Sequence, residues 1–128
     1  MNDTTRYERG LAKLLETYGE QAGAFLSFLG DVAPDLGTYV VEFVFGDLDC
    51  PPGLDLKSRE IVTLAALIAT RKASPQLRAH ICAALDSGCS EQEVVEIIMQ
   101  MAIYAGFPAA LNGIQAAREV FQERSERK

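Results

Sequence analysis

The sequence predicts an all-α protein, a single-domain bundle of about seven helices over residues 1–128. Three observations carry this. Apolar residues recur at spacings of three and four along most of the chain. Capping residues, prolines and glycines separate those stretches at helix-length intervals. The β-branched pair Val40–Val41 has no second strand candidate to pair with, and an isolated strand is unstable. Short connections then favour antiparallel neighbours.

Residues 4–18 place Tyr7, Leu11, Leu14, Leu15 and Tyr18 on one stripe, expected to be a core face, with Thr4 or Thr5 as cap and Gly19 as stop. Residues 20–30 group Phe25, Phe28 and Leu29 on a second, short helix. Pro34 and Asp35 open a third, along which Leu36, Tyr39, Val40, Phe43 and Val44 keep a helical rule until Gly46. Residues 47–54, DLDCPPGL, read as a loop, because two adjacent prolines and a glycine cannot continue a helix.

Asp55 caps a long helix over about 56–72. Its face carries Glu60, Thr63, Leu64, Leu67 and Ile68, and Arg71 and Lys72 suit the negative end of its dipole. Ser74 as cap and Pro75 at the first helical position start the next helix, which Gly88 ends. Ser90 and Glu93 form a capping box for a helix whose expected buried stripe is Val94, Ile97, Ile98, Met101 and Tyr104. Gly106 stops it, Pro108 restarts the chain, and residues 111–121 close the domain before a solvated tail, residues 123–128.

Twelve basic against eighteen acidic residues give a net charge of −6. That field repels phosphates and argues against nucleic acid and anionic membranes, while a small anionic substrate can still be held by a few local arginines. No apolar run approaches the roughly 18–20 residues of a membrane span. The polar start, MNDTTRYERG, shows no signal peptide, so a cytoplasmic location is expected. Cys50, Cys82 and Cys89 are odd in number and form no CxxC, which reads as free thiols in a reducing compartment. One histidine without a ligand cluster predicts no metal site. There is no glycine-rich phosphate loop and no G-x-S-x-G.

The sole histidine, His80, shares a helix side with Leu77, Ile81, Ala84 and Leu85 and so points inward. A core histidine bonded to a backbone carbonyl is the plain alternative. Glu60 lies on the apolar face one turn before Leu64, where burial is costly unless the carboxylate is paired. Its plain alternative is a partly exposed first-turn glutamate favoured by the helix dipole. If the two helices run antiparallel, Glu60 and His80 reach one pocket, and the carboxylate orients the imidazole as a proton donor. Arg59, Arg71, Arg78 and Arg118 lie close to this unit, with Arg59 and Arg78 the leading candidates to receive a substrate carboxylate. Tyr104 is a further candidate, as a hydrogen-bond donor, although packing is the favoured role for it and a solvated surface role for most of the arginines. Cys82, two positions from His80 and so about 200° round the helix, cannot pair with it there.

Several of these stretches occur together in one known family. They are the run from Leu54 to Leu67, LDLKSREIVTLAAL; the segment from Gln76 to His80, QLRAH; the segment from Ala84 to Gly88, ALDSG; and the segment from Tyr104 to Ala110, YAGFPAA. With Phe45-Gly46-Asp47 upstream, the chain resembles the carboxymuconolactone decarboxylase family over roughly residues 30–122. The resemblance implies an all-α fold related to the alkylhydroperoxidase D group, assembled as a homo-oligomer, a hexamer or trimer. It implies the family's name-giving reaction, loss of CO2 from 4-carboxymuconolactone in the β-ketoadipate route of aromatic catabolism, with no cofactor. In that reaction His80 would be the acid, Glu60 its partner, and an arginine the receiver of a carboxylate. The peroxidase branch of the superfamily carries a CxxC just before the matching histidine. Here residues 73–76 read Ala-Ser-Pro-Gln, so peroxiredoxin-like disulfide chemistry is not expected at that site. A thiol peroxidase and a non-catalytic oligomeric binding protein are the alternative readings.

Overall fold

Helix follows helix through a computed structural model that describes residues 5–50, 52–72 and 74–127. No strand occurs among these residues, and they fall into two compact units, Met1–Leu54 and Asp55–Lys128.

The first unit holds α1 (Arg6–Tyr18), α2 (Gln21–Val32), α3 (Pro34–Tyr39) and a π-helix (Val40–Leu48). Thr5 caps α1 in a reciprocal box with Glu8, while Thr4 lies outside the described residues. The buried face of α1 is Gly10, Leu14 and Thr17. The expected stripe is only partly inside, since Tyr7 is 38% and Leu15 50% exposed. The reason is Gly10. A Cβ there would sit 1.8 Å from the Val41 carbonyl oxygen, so the backbones of α1 and the π-helix meet at a position that an apolar count ignores.

The third predicted helix differs more. Its second half winds as a π-helix and continues past Gly46 to Leu48, so the loop begins only at Asp49; Pro51 lies outside the described residues. Gly46 allows close approach, since a Cβ on it would meet the Arg6 carbonyl oxygen at 2.8 Å. On the π-helix Val41 and Phe45 turn inward while Phe43 stays more than half exposed, as do Leu36 and Tyr39 on α3 before it. Leu14, Ala22, Val41 and Phe45 form this unit's core, with the Tyr18 ring edge-on to Phe45 at 5.9 Å. Phe28 on α2, at 69%, faces out. Arg6 grips the Asp47 carboxylate through Nε and Nη2, and that hydrogen bonding holds the Asp47 carboxyl below the usual range.

The second unit holds α4 (Leu56–Ala69), α5 (Ser74–Asp86), α6 (Glu91–Ala105) and α7 (Phe107–Glu126). Asp55 caps α4 by accepting from the Ser58 amide at 2.7 Å. The helix ends three residues before position 72, because Arg71 takes a left-handed φ of 54°. Lys72 N–H bonds the Leu67 carbonyl and Arg71 N–H the Ile68 carbonyl, a Schellman end with arginine where glycine is usual. The same closure recurs after α5, with Gly88 at φ 112° and Cys89 N–H on the Ala84 carbonyl. Ser74 is the first residue of α5 rather than its cap; the position before it, Ala73, is not among the described residues.

The Ser90–Glu93 box forms as expected. Val94 and Ile98 are fully buried, but Tyr104 is 77% exposed rather than buried. The 3.6-residue period carries the inward seam from Ile98 through Ala102 to Ala105, which swings Tyr104 out. Helix α7 starts four residues before Leu111 and runs into the tail, where Arg124 bonds Asp86 at 2.9 Å. It buries Ala109, Ala110, Gly113, Ala116, Ala117 and Val120, while Leu111 is 65% exposed. Small residues let α7 close on its neighbours; a Cβ on Gly113 would stand 3.2 Å from Ile98.

The close contact at Gly10 makes a prediction. Gly10→Ala must push the π-helix backbone away and should cost about 1–3 kcal/mol, the range for overpacking. Gly23→Ala on α2, with nothing within 4 Å of the added Cβ, should gain roughly 0.5–1 kcal/mol instead. Urea unfolding of the two variants checks this, and equal stabilities would refute the contact.

Candidate active site

Glu60 is 5% exposed on the inward face of α4, between the cap at Asp55 and the core residues Leu64 and Ile68. His80 stands midway along α5, one turn from buried Leu77 and Ala84. The two helices run antiparallel, since the Lys57 side chain at the start of α4 lies against Gly88 just past the end of α5. That register brings the side chains together, with His80 Nδ1 3.3 Å from Glu60 Oε2. The contact is a long hydrogen bond that becomes an ion pair when the ring is protonated. The histidine side chain is 27% accessible and the glutamate side chain 7%. One member of the pair can thus be reached from outside while the other is sealed.

The surroundings keep this arrangement in place. Lys57, one turn before Glu60, binds Glu93 Oε2 at 3.1 Å and ties the first turn of α4 to that of α6. Glu93 is thereby held below the usual carboxylate range, by the Ser90 amide first and Lys57 second. No buried side-chain nitrogen or oxygen among the described residues lacks a hydrogen-bond partner.

The other predicted site residues fall differently. Arg59, next to Glu60 in sequence and about 100° round the helix from it, is half-buried. Arg78 is two positions from His80 and faces α7, where its guanidinium binds Glu119 Oε2 at 2.7 Å and Ser74 Oγ at 3.1 Å. Tyr104 lies on the outer surface of α6. The structure therefore joins Glu60 to His80 and directs Arg78 and Tyr104 elsewhere.

Cys89 was not marked out by periodicity, yet its thiol lies within electrostatic reach of Glu60, Glu93 and Lys57. Burial pushes it up, as do the two carboxylates, against the pull of Lys57. The local signal for its place was the helix-ending Gly88 beside the Ser90 cap, which folds the chain back towards the start of α4. Burial also pushes up Cys82, and all three cysteines are free thiols. No group of three or more His, Cys, Asp or Glu side chains suited to a metal ion occurs among the described residues. No described helix is long and apolar enough to cross a membrane.

Comparison with known proteins agrees with the resemblance read from the motifs. The family model described as the carboxymuconolactone decarboxylase family matches residues 34–119, which include both members of the Glu60–His80 pair. The 4-carboxymuconolactone decarboxylase of Acinetobacter baylyi is 34% identical over 124 residues, 96% of this chain and 92% of that protein. An uncharacterised 15.0 kDa protein of Paracoccus denitrificans is 28% identical over 96% of this chain and 98% of its own length. The nitrosuccinic acid decarboxylase of Metarhizium robertsii is 29% identical over 66% of this chain and 58% of its own. With most of its length matched by the family model and by a relative at this identity, the chain belongs to the carboxymuconolactone decarboxylase family.

Proposed function

We propose that this protein is a carboxy-lyase that removes CO2 from a small carboxylated lactone of the 4-carboxymuconolactone type, with His80 as proton donor and Glu60 as its partner. The observation that carries the reading is the contact between the accessible imidazole and the buried carboxylate. Two of the relatives bear the names of decarboxylases, and both named substrates are small acids that carry an electron-withdrawing group.

The chemistry is self-contained. The bond to the departing carboxylate breaks, and its electron pair passes through the conjugated double bond into the lactone carbonyl. CO2 leaves and a dienolate remains, so the substrate is its own electron sink and no cofactor is required. The protein has to hold the anionic substrate, balance charge on the dienolate oxygen and return one proton to carbon. Glu60 at Nδ1 fixes the ring so that Nε2, on the opposite side, faces the substrate carbon. Arg59, one position from Glu60 on α4, is assigned to a substrate carboxylate for its place beside the pair in the chain.

His80→Gln should lower kcat by about 10²–10⁴-fold with an unaltered far-UV spectrum, the range for loss of a positioned acid. Glu60→Gln keeps the shape but loses the charge that orients the ring, so it should lower kcat far more than it raises KM. CO2 release from 4-carboxymuconolactone is the assay. Full turnover by His80→Gln removes the assignment of the acid. Release from other activated acids but not from this one removes the substrate and keeps the reaction class.

Arg59→Lys reduces a forked contact to a point charge and should raise KM by roughly tenfold or more with little change in kcat. An unchanged KM moves the carboxylate contact to another residue.

The thiols take no bond-making part in this reading. Cys82 and Cys89 are both pushed above the ordinary thiol value, mainly by burial. Thiolate is therefore scarce at neutral pH and grows as pH rises through the raised values. Iodoacetamide at pH 7 should label both more slowly than free cysteine, and faster as the solution is made alkaline. Rapid labelling at pH 7 would reopen thiol peroxidase chemistry.

A further inference from the structure

Where α3 passes into the π-helix, the first unit has a hollow of about 530 Å³, a volume suited to a small organic molecule. Tyr39, Val40, Phe43 and Val44 make its apolar walls, and Arg6 and Glu42 are its charged members. Tyr39 is 62% and Phe43 53% exposed, so neither ring is spent on this unit's own core. A π-helical turn is itself a frequent mark of a functional site.

The cation of this hollow is only partly engaged. Arg6 gives Nε and Nη2 to the Asp47 carboxylate, which Arg9 also meets at 3.5 Å. Its third nitrogen, Nη1, stands 4.0 Å from Glu42 Oε1, close enough for an ion pair and too far for a hydrogen bond. The two N–H donors on Nη1 thus face a loosely held counter-charge. The Arg6 side chain is 51% accessible against 28% for Glu42, so the positive member is the one a ligand meets first. Arg6 lies outside residues 34–119, the stretch that the family model matches, and the hollow does not follow from family membership.

We propose that this hollow binds a small aromatic carboxylate, with its ring against Tyr39 and Phe43 and its carboxylate taking the Arg6 Nη1 donors in place of Glu42. Charge and hydrogen bonding select that occupant. A ligand carboxylate can close to about 2.7–2.9 Å on a guanidinium, which Glu42 does not do, and a flat ring gains from packing on two others. A ligand ammonium fits less well. It would have to reach the more covered Glu42 with the Arg6 charge beside it.

The hollow shares no residue with the Glu60–His80 pair, and either reading can fail alone. Titration of the isotope-labelled full chain with sodium benzoate at constant ionic strength, followed through backbone amide shifts, tests the proposal. Benzoate should bind with a Kd on the order of 1 mM, ordinary for a ligand of that size, with shifts at Arg6 and residues 39–44. Benzamide, of the same shape without the charge, should bind at least about 10-fold more weakly, and Arg6→Gln should weaken benzoate by a similar factor. Glu42→Gln removes the rival carboxylate and keeps its shape, so it should tighten benzoate about 3–10-fold. That variant leaves the Arg6–Asp47 bonds intact and decides the matter if Arg6→Gln does not fold.

Equal binding of benzoate and benzamide overturns the proposal, as does a folded Glu42→Gln whose affinity for benzoate is unchanged or lower. Tighter binding of benzylammonium than of benzoate overturns it too. So do benzoate shifts that centre on Arg59 and His80 and spare Arg6, since they belong to the other site. Shifts at Arg6 in a protein that releases no CO2 from any activated acid uphold the hollow and remove the decarboxylase reading.

Discussion

A carboxylate set in an apolar face constrains the second unit more than any other single feature. Glu60 occupies a position that by spacing belongs to the core, one turn before Leu64 and two before Ile68. Removing a charge of that kind from water without a partner costs several kcal/mol, enough to rival the whole stability of a small domain. The imidazole of His80 meets that demand from the neighbouring helix. To do so α4 and α5 must keep one register, and a slip of one residue would carry His80 about 100° away. The Schellman end at Arg71 and Lys72 closes α4 before α5 begins, and the Lys57–Glu93 bridge ties the start of α4 to α6. Packing and the prospective chemistry thus rest on the same contact.

Close approach is the second theme, and both units achieve it with residues that carry little apolar area. In the first unit Gly10 and Gly46 bring α1 against the π-helix. In the second, a run of alanines and Gly113 brings α7 against α6 and the Ile68 side chain. Dense packing does not require large side chains where backbones can meet, because contact number sets the dispersion energy. The consequence on α7 is an inverted amphipathic pattern. Small residues face the core while Phe107, Leu111 and Ile114 face out.

That inversion explains where the sequence was legible and where it was not. Caps depend on three or four consecutive residues, so Asp55 and Ser90 with Glu93 could be read directly. The cap of α1 stayed open between Thr4 and Thr5, and the Glu8 half of its box was missed. The meeting of Glu60 and His80 was within reach because two helical faces and a short connection leave few ways to pack. The fate of Tyr104 and Leu111 was not, since periodicity finds an apolar stripe but cannot say which of two apolar faces will be covered. The π winding after Tyr39 escaped for another reason: its first residues, Val40 and Val41, fit an α-helical rule equally well. The bonds from Arg6 to Asp47 and from Arg78 to Glu119 each span 41 residues, and no local pattern pairs such charges.

The unequal burial of the pair bears on the proposed reaction. A proton donor must exchange with solvent between turnovers and with substrate during them, which the partly accessible His80 ring allows. Its partner must hold the ring without being drawn into water, and Glu60 is sealed against that. Reversing the two would leave a buried imidazole unable to reload and an exposed carboxylate whose pull water would screen. An acidic protein that takes an anionic substrate faces the added cost of bringing like charges together. In the proposed reaction the imidazolium limits that cost, because it meets the Glu60 charge at contact distance when the acid is loaded. The arriving carboxylate then meets a nearly neutral pair. In the proposed reaction the favourable interaction is left to a cation, the role proposed for Arg59, which carries no share of the proton transfer.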